Sequence, residues 1–187
     1  MLFDDISCDG RLWAVRYERE TENALYAVFA QWNDVEWLRS FFVENKNDLE
    51  SYFNVTDVDR AIYDTLEDSN RLQCLILDLN PETDLEKLFR PLNNNQTVAL
   101  MLDKEKARPK RDRGHLSWLR LYAIRLEKEV FIITGGAIKL TYKMQERTHT
   151  LQELVKMERV RNFLLEESIV DKESFLDFQE CQNKINE

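Results

Sequence analysis

The chain has 187 residues, 43% of them hydrophobic, with four Trp and ten Phe, enough for one packed domain and too much for wholesale disorder. No apolar run approaches the ~18 residues of a membrane span, and the acidic N-terminus "MLFDDISCDG" lacks the basic and apolar regions of a secretory signal. Cys8, Cys74 and Cys181 are scattered without metal-ligand spacing, which suits reduced thiols in a cytoplasmic protein with no metal and no cofactor.

The net charge of −9 hides an uneven distribution. Residues 1–103 carry 21 Asp and Glu against 9 Lys and Arg; residues 104–161 carry 7 against 15, a net of +8; residues 162–187 carry 7 against 2. A basic segment inside an acidic chain is either a binding surface for an anion or one half of an internal set of ion pairs.

In chain order, "RLWAVRYE" (11–18) alternates as a strand does, with Leu12, Ala14 and Arg16 opposite Trp13, Val15 and Tyr17. The run 34–53 has Val35, Leu38, Phe41 and Phe42 at helical spacing behind Asp34 as a cap, and its aromatic residues read as core. From Thr56, Val58, Ile62, Leu66, Leu72, Leu75 and Leu79 predict one long helix or two short ones. Residues 104–118 read as a basic loop that could contact phosphates or simply be exposed. Beyond it, "LRLYAIRLE", "VFIITGG" and "AIKLTYK" predict three consecutive antiparallel strands over 119–143, in one sheet with the strand at 11–18.

In that reading Gly135 and Gly136 end the second strand, while Ile138, Leu140 and Tyr142 face the core and Lys139 and Lys143 face outward. Thr150 and Glu153 have the spacing of a capping box at the head of an amphipathic helix to Glu167, and a last short helix is expected from Lys172 to Ile185. The expected fold class is therefore a single α+β domain over 1–187, with a small antiparallel sheet, a helical N-terminal part and extra C-terminal helices.

The run Leu121 to Glu167, with "LYAIR", "GGAIKLTYK" and "TLQELVKMERVRNFL" in succession, resembles the C-terminal half of the RelE/ParE toxin superfamily, closest in rhythm to the phage-derived HigB-like branch. The resemblance implies a β-α-α-β-β-β plan and a ribosome-dependent mRNA endoribonuclease paired with a helix-turn-helix antitoxin. Such an enzyme works without metal, because the RNA 2′-hydroxyl attacks the adjacent phosphate and cations stabilise the developing charge. By the resemblance Arg125 and Lys139 are the catalytic cations, and Tyr142, His115 or His149 would supply a general acid or base. Arg120, Lys143, Lys110, Arg111, Arg113 and His115 would contact RNA. The expected middle strand, "EVFIIT", carries no basic residue where many of these toxins have one. Two alternatives stand beside the nuclease: a non-catalytic interaction protein on the same scaffold, and a ParE-like topoisomerase inhibitor.

Overall fold

A computed structural model of the protein describes residues 1–93, 102–110 and 114–186. Its centre is strand β6 (Val130–Ile138), all nine of whose residues are buried, in a six-stranded sheet. The other strands are β1 (Leu2–Asp5), β2 (Leu12–Arg16), β3 (Phe89–Pro91), β4 (Asp103–Ala107) and β5 (Leu119–Glu127), in the spatial order β1-β2-β6-β5-β4-β3. All neighbours are antiparallel except β2 and β6, so the sheet is mixed. A strand buried on both faces needs a continuous apolar run, and "VFIITGGAI" is one.

Helices cover both faces. On one side lie α1 (Ala24–Trp32), α2 (Val35–Glu44), α3 (Lys46–Phe53) and α4 (Val58–Leu77); on the other lie α5 (Thr148–Glu166) and α6 (Lys172–Asn186). Strand alternation divides the core between them. Leu119, Leu121 and Ala123 of β5 and Phe131 and Ile133 of β6 pack against the first group; Tyr122, Ile124, Leu126, Val130 and Ile132 pack against the second. The fold is thus α+β, as expected, with two large aromatic cores and no helix, among the described residues, long and apolar enough to cross a membrane.

Local signals explain most of the helices. Asn23, Asp34 and Asp57 each accept a backbone N–H of the first turn, capping α1, α2 and α4. The expected helix over 34–53 breaks at Asn45 into α2 and α3, and Asn54 ends α3 with φ 55°. The run from Val58 is one helix of 20 residues, opened by Asp57. At the head of α5 no capping box forms. Thr150 lies inside the helix and its hydroxyl donates to the carbonyls of Met144 (2.6 Å) and Arg147 (3.0 Å), while Glu153 turns toward the sheet.

Three expectations about the strands are corrected. The segment 104–118 is not all loop: Asp103–Ala107 forms β4, paired with both β3 and β5. The strand "AIKLTYK" does not form, because β6 runs on through both glycines to Ile138 and the chain then bends away through 139–143. Consequently Tyr142 does not face the core; it is 82% exposed.

The double glycine answers to close packing on both sides of β6. A Cβ on Gly136 would lie 2.9 Å from Val28 Cγ1 and Trp32 Cζ2 of α1 and from the Arg120 carbonyl oxygen; a Cβ on Gly135 would overlap the Glu153 carboxylate of α5. Just before them Thr134 is an extra residue: Tyr122 opposes Gly135 while Ala123 opposes Ile133. This bulge puts Gly135 and Gly136 on opposite faces in register with the two helices.

Candidate anion-binding cleft

The register of β4, β5 and β6 gathers cations that lie far apart in the chain. Lys106 stands opposite Tyr122, two residues from Arg120; Arg120 stands opposite Ala137, two residues before Lys139. Because strand side chains alternate, Lys106, Arg120 and Lys139 share the face of Tyr122 and Ala137, near the start of α5, where His149 Nε2 lies 2.9 Å from the Ile138 carbonyl oxygen. Arg108 continues the line beyond β4. All four line one open cleft, which Lys110, Lys143 and Tyr142 also border.

These cations perturb one another. Burial first, then the charges of Arg120, Lys139 and Arg108, lower the Lys106 ammonium to about 8. Burial and Arg108 bring Arg120 down to about 10, and burial and Arg120 lower Lys139. The hydrogen bonds of Arg120 and Lys139 run to carbonyls: Arg120 Nη1 donates to Ser117 O (2.7 Å) and Leu119 O (2.6 Å), and Lys139 Nζ to Thr141 O (2.6 Å) and Tyr142 O (2.5 Å); one bond of Lys106 Nζ goes to Leu92 O (2.9 Å). A carbonyl orients a cation without cancelling its charge. Among the described residues no carboxylate lies within ion-pair distance of Arg120 or Lys139.

Other cations of the basic segment are neutralised. Arg125 Nη1 pairs with Glu86 at 2.5 Å and its guanidinium lies over Phe131, on the sheet face covered by α1–α4. Arg147 holds Asp48 with two bonds of 2.6 Å, and Lys104 pairs with Glu158. The two cations that the resemblance made catalytic are therefore on opposite sides of the sheet, Arg125 on one and Lys139 on the other. His115 is also outside the cluster: its ring stacks on Trp118 with centroids 4.2 Å apart, and its Nε2 is 2.9 Å from Asp64 Oδ2 of α4. Arg111 and Arg113 lie outside the described residues.

Of the expected site residues, the cleft brings together Lys139, Tyr142, Arg120, Lys143 and Lys110. Tyr142 packs edge-on against Tyr52, with centroids 4.9 Å apart at 85°, and both rings border the cleft. Lys106 and Arg108 were not among the expected site residues, although Lys110, Arg111 and Arg113 of the same basic segment were, because the pairing of β4 with β5 that sets Lys106 opposite Tyr122, two residues from Arg120, has no sign in the sequence. Among the described residues no group of three or more His, Cys, Asp or Glu side chains could hold a metal ion. Comparison with protein-family models, with curated proteins and with solved structures finds no match to this chain.

Proposed function

We propose that the cleft binds single-stranded RNA, with Arg120, Lys139 and Arg108 on the phosphates and Tyr142 and Tyr52 offering rings for base stacking. The observation that carries this reading is the set of part-buried cations, Arg120 and Lys139, that carbonyls hold in one cleft with Lys106 and Arg108, with no carboxylate within ion-pair distance of Arg120 or Lys139 among the described residues. Such a set is relieved by a polyanion. An exposed aromatic pair beside a basic groove is the arrangement that accepts unpaired bases without reading their sequence.

On this reading the chain is a binding module. Cleavage of the bound strand, the RelE-like activity, is the second reading, favoured by one observation: Lys139 is bonded to the Tyr142 carbonyl, so these two expected catalytic residues share the cleft. Arg120 would then take the part assigned to Arg125.

Fluorescence anisotropy with a labelled single-stranded oligoribonucleotide over a salt series tests both. Binding should weaken steeply with salt, and Lys139→Gln or Arg108→Gln should each flatten the log–log slope by about 0.7. Arg125→Gln should leave the slope unchanged. The same samples run on a denaturing gel report cleavage. Absence of binding at low salt, or a slope untouched by Lys139→Gln, would end the RNA reading.

A further inference from the structure

Burial deepens from the rim of the cleft to its wall. Arg108, Lys110, Tyr142 and Lys143 are exposed at the rim, Arg120 and Lys139 are part-buried, and Tyr122, on the same strand face as Arg120, is fully buried. The Tyr122 ring borders the cleft, and among the described residues its hydroxyl has no hydrogen-bond partner. We infer that this inner end of the cleft takes the terminal phosphomonoester of an RNA strand, with Tyr122, Arg120 and Lys139 as its three donors. The inference rests on the reading of the cleft as an RNA site and names the part of the strand that is gripped.

Buried hydroxyls in folded proteins are rarely left unpaired, so one in the wall of a cleft marks the place of an acceptor supplied from outside. The two cations beside it select the kind of acceptor. Tyr122 follows Arg120 by two residues on β5, and Arg120 stands opposite Ala137, two residues before Lys139, so all three belong to one end of one sheet face. Carbonyls of Ser117 and Leu119 hold Arg120, and those of Thr141 and Tyr142 hold Lys139, which fixes both cations and leaves their charge. A group that meets two cations and a neutral hydroxyl together is an anion with several oxygens. The carboxylate on this side is Glu153 of α5, which lies over Gly135, the residue opposite Tyr122; Lys156 pairs with it at 2.6 Å and offsets its charge.

Depth decides which phosphate. An internal phosphodiester has a ribose on each side and two free oxygens, so the walls keep it at the rim with Arg108 and Lys110. A terminal phosphomonoester is the narrowest group of the strand, offers three free oxygens and carries about −1.5 to −2 charge at neutral pH. It matches the three inner donors, and the strand behind it runs out past the rings of Tyr142 and Tyr52.

The test compares single-stranded oligoribonucleotides by fluorescence anisotropy, labelled at one end and carrying a phosphate or a hydroxyl at the other. Both a 5′-phosphate and a 3′-phosphate are tried, and each hydroxyl control is one nucleotide longer, so that the number of phosphates is equal. One of the two phosphorylated strands should bind on the order of 10-fold tighter than its control, the worth of one hydrogen bond to a charged group. Inorganic phosphate should compete more strongly with that strand than with the control. Tyr122→Phe should abolish the preference while the melting temperature holds or rises, because an unpaired buried hydroxyl gives the fold nothing. Equal binding of phosphorylated and hydroxyl strands would overturn the inference and leave the RNA reading standing. A preference that survives Tyr122→Phe would overturn it too, as would a lower melting temperature in that variant, which would show the hydroxyl to be bonded within the fold. No binding of any strand would refute the RNA reading and this inference with it.

Discussion

Two side chains of the sheet face under α1–α4 show how burial sets the cost of a charge. Glu105 is 1% exposed and burial raises its carboxyl to about 7, with Arg125 opposing that rise and Asp103 and Glu86 adding to it. Since the folded value lies above the ordinary 4.5, the carboxyl favours the fold in its protonated form, and stability falls as pH rises from about 4.5 through 7. The loss is at most ~3 kcal/mol, because each tenfold change in proton affinity is worth about 1.4 kcal/mol. Glu105→Gln should therefore gain on the wild type in urea-unfolding free energy as pH increases from about 5 to about 8. A difference that is flat with pH would show that Glu105 does not titrate in the folded protein. Arg125 has the opposite balance: pairing with Glu86 and contact with Phe131 offset its burial. Arg125→Ala should lower the unfolding free energy by about 1–3 kcal/mol by leaving Glu86 partly buried without its cation, with RNA affinity unchanged.

At the scale of elements, β6 is the strand on which two helices converge, and each glycine serves one of them. Gly136→Ala meets a backbone oxygen and two packed side chains of α1, none of which can swing aside. We expect a loss of about 1–3 kcal/mol, read as a lower urea midpoint. Gly135→Ala meets the end of one flexible side chain, Glu153, whose carboxyl burial already pushes up in pKa. That variant should cost less, and Glu153→Ala should relieve it. The double variant Gly135→Ala/Glu153→Ala should thus be more stable than the sum of the single losses predicts; strict additivity would mean that the two residues do not meet. The extension of β6 through both glycines also decides the site, because it carries Lys139 to the sheet end beside Arg120.

For the whole molecule, a net charge of −9 coexists with a cleft whose cations repel one another. Such a cleft destabilises the empty protein slightly, and anions that occupy it should stabilise the fold by mass action. Inorganic phosphate should raise the melting temperature more than chloride at equal ionic strength, and the excess should vanish in the double variant Arg108→Gln/Lys139→Gln. An equal response to both salts would indicate general screening and no anion site.

The elements were largely legible in the chain. The helical spacing of 34–53 and 58–79, the apolar run at 130–136 and the alternation at 11–18 and 119–127 all depend on neighbours in sequence, and the structure contains the corresponding helices and strands, with β6 running on through both glycines to Ile138. What tertiary structure decided is which groups meet. Asp48 reaches Arg147 across 99 residues and Glu86 reaches Arg125 across 39, so a run of cations along the chain becomes paired structural residues in some places and bare charge in others. The two glycines carry no sign in sequence of the helices that pass over them. Their meaning, like the gathering of Lys106, Arg120 and Lys139, comes from the register between strands, because side-chain periodicity tells which residues share a face but not which strands lie side by side.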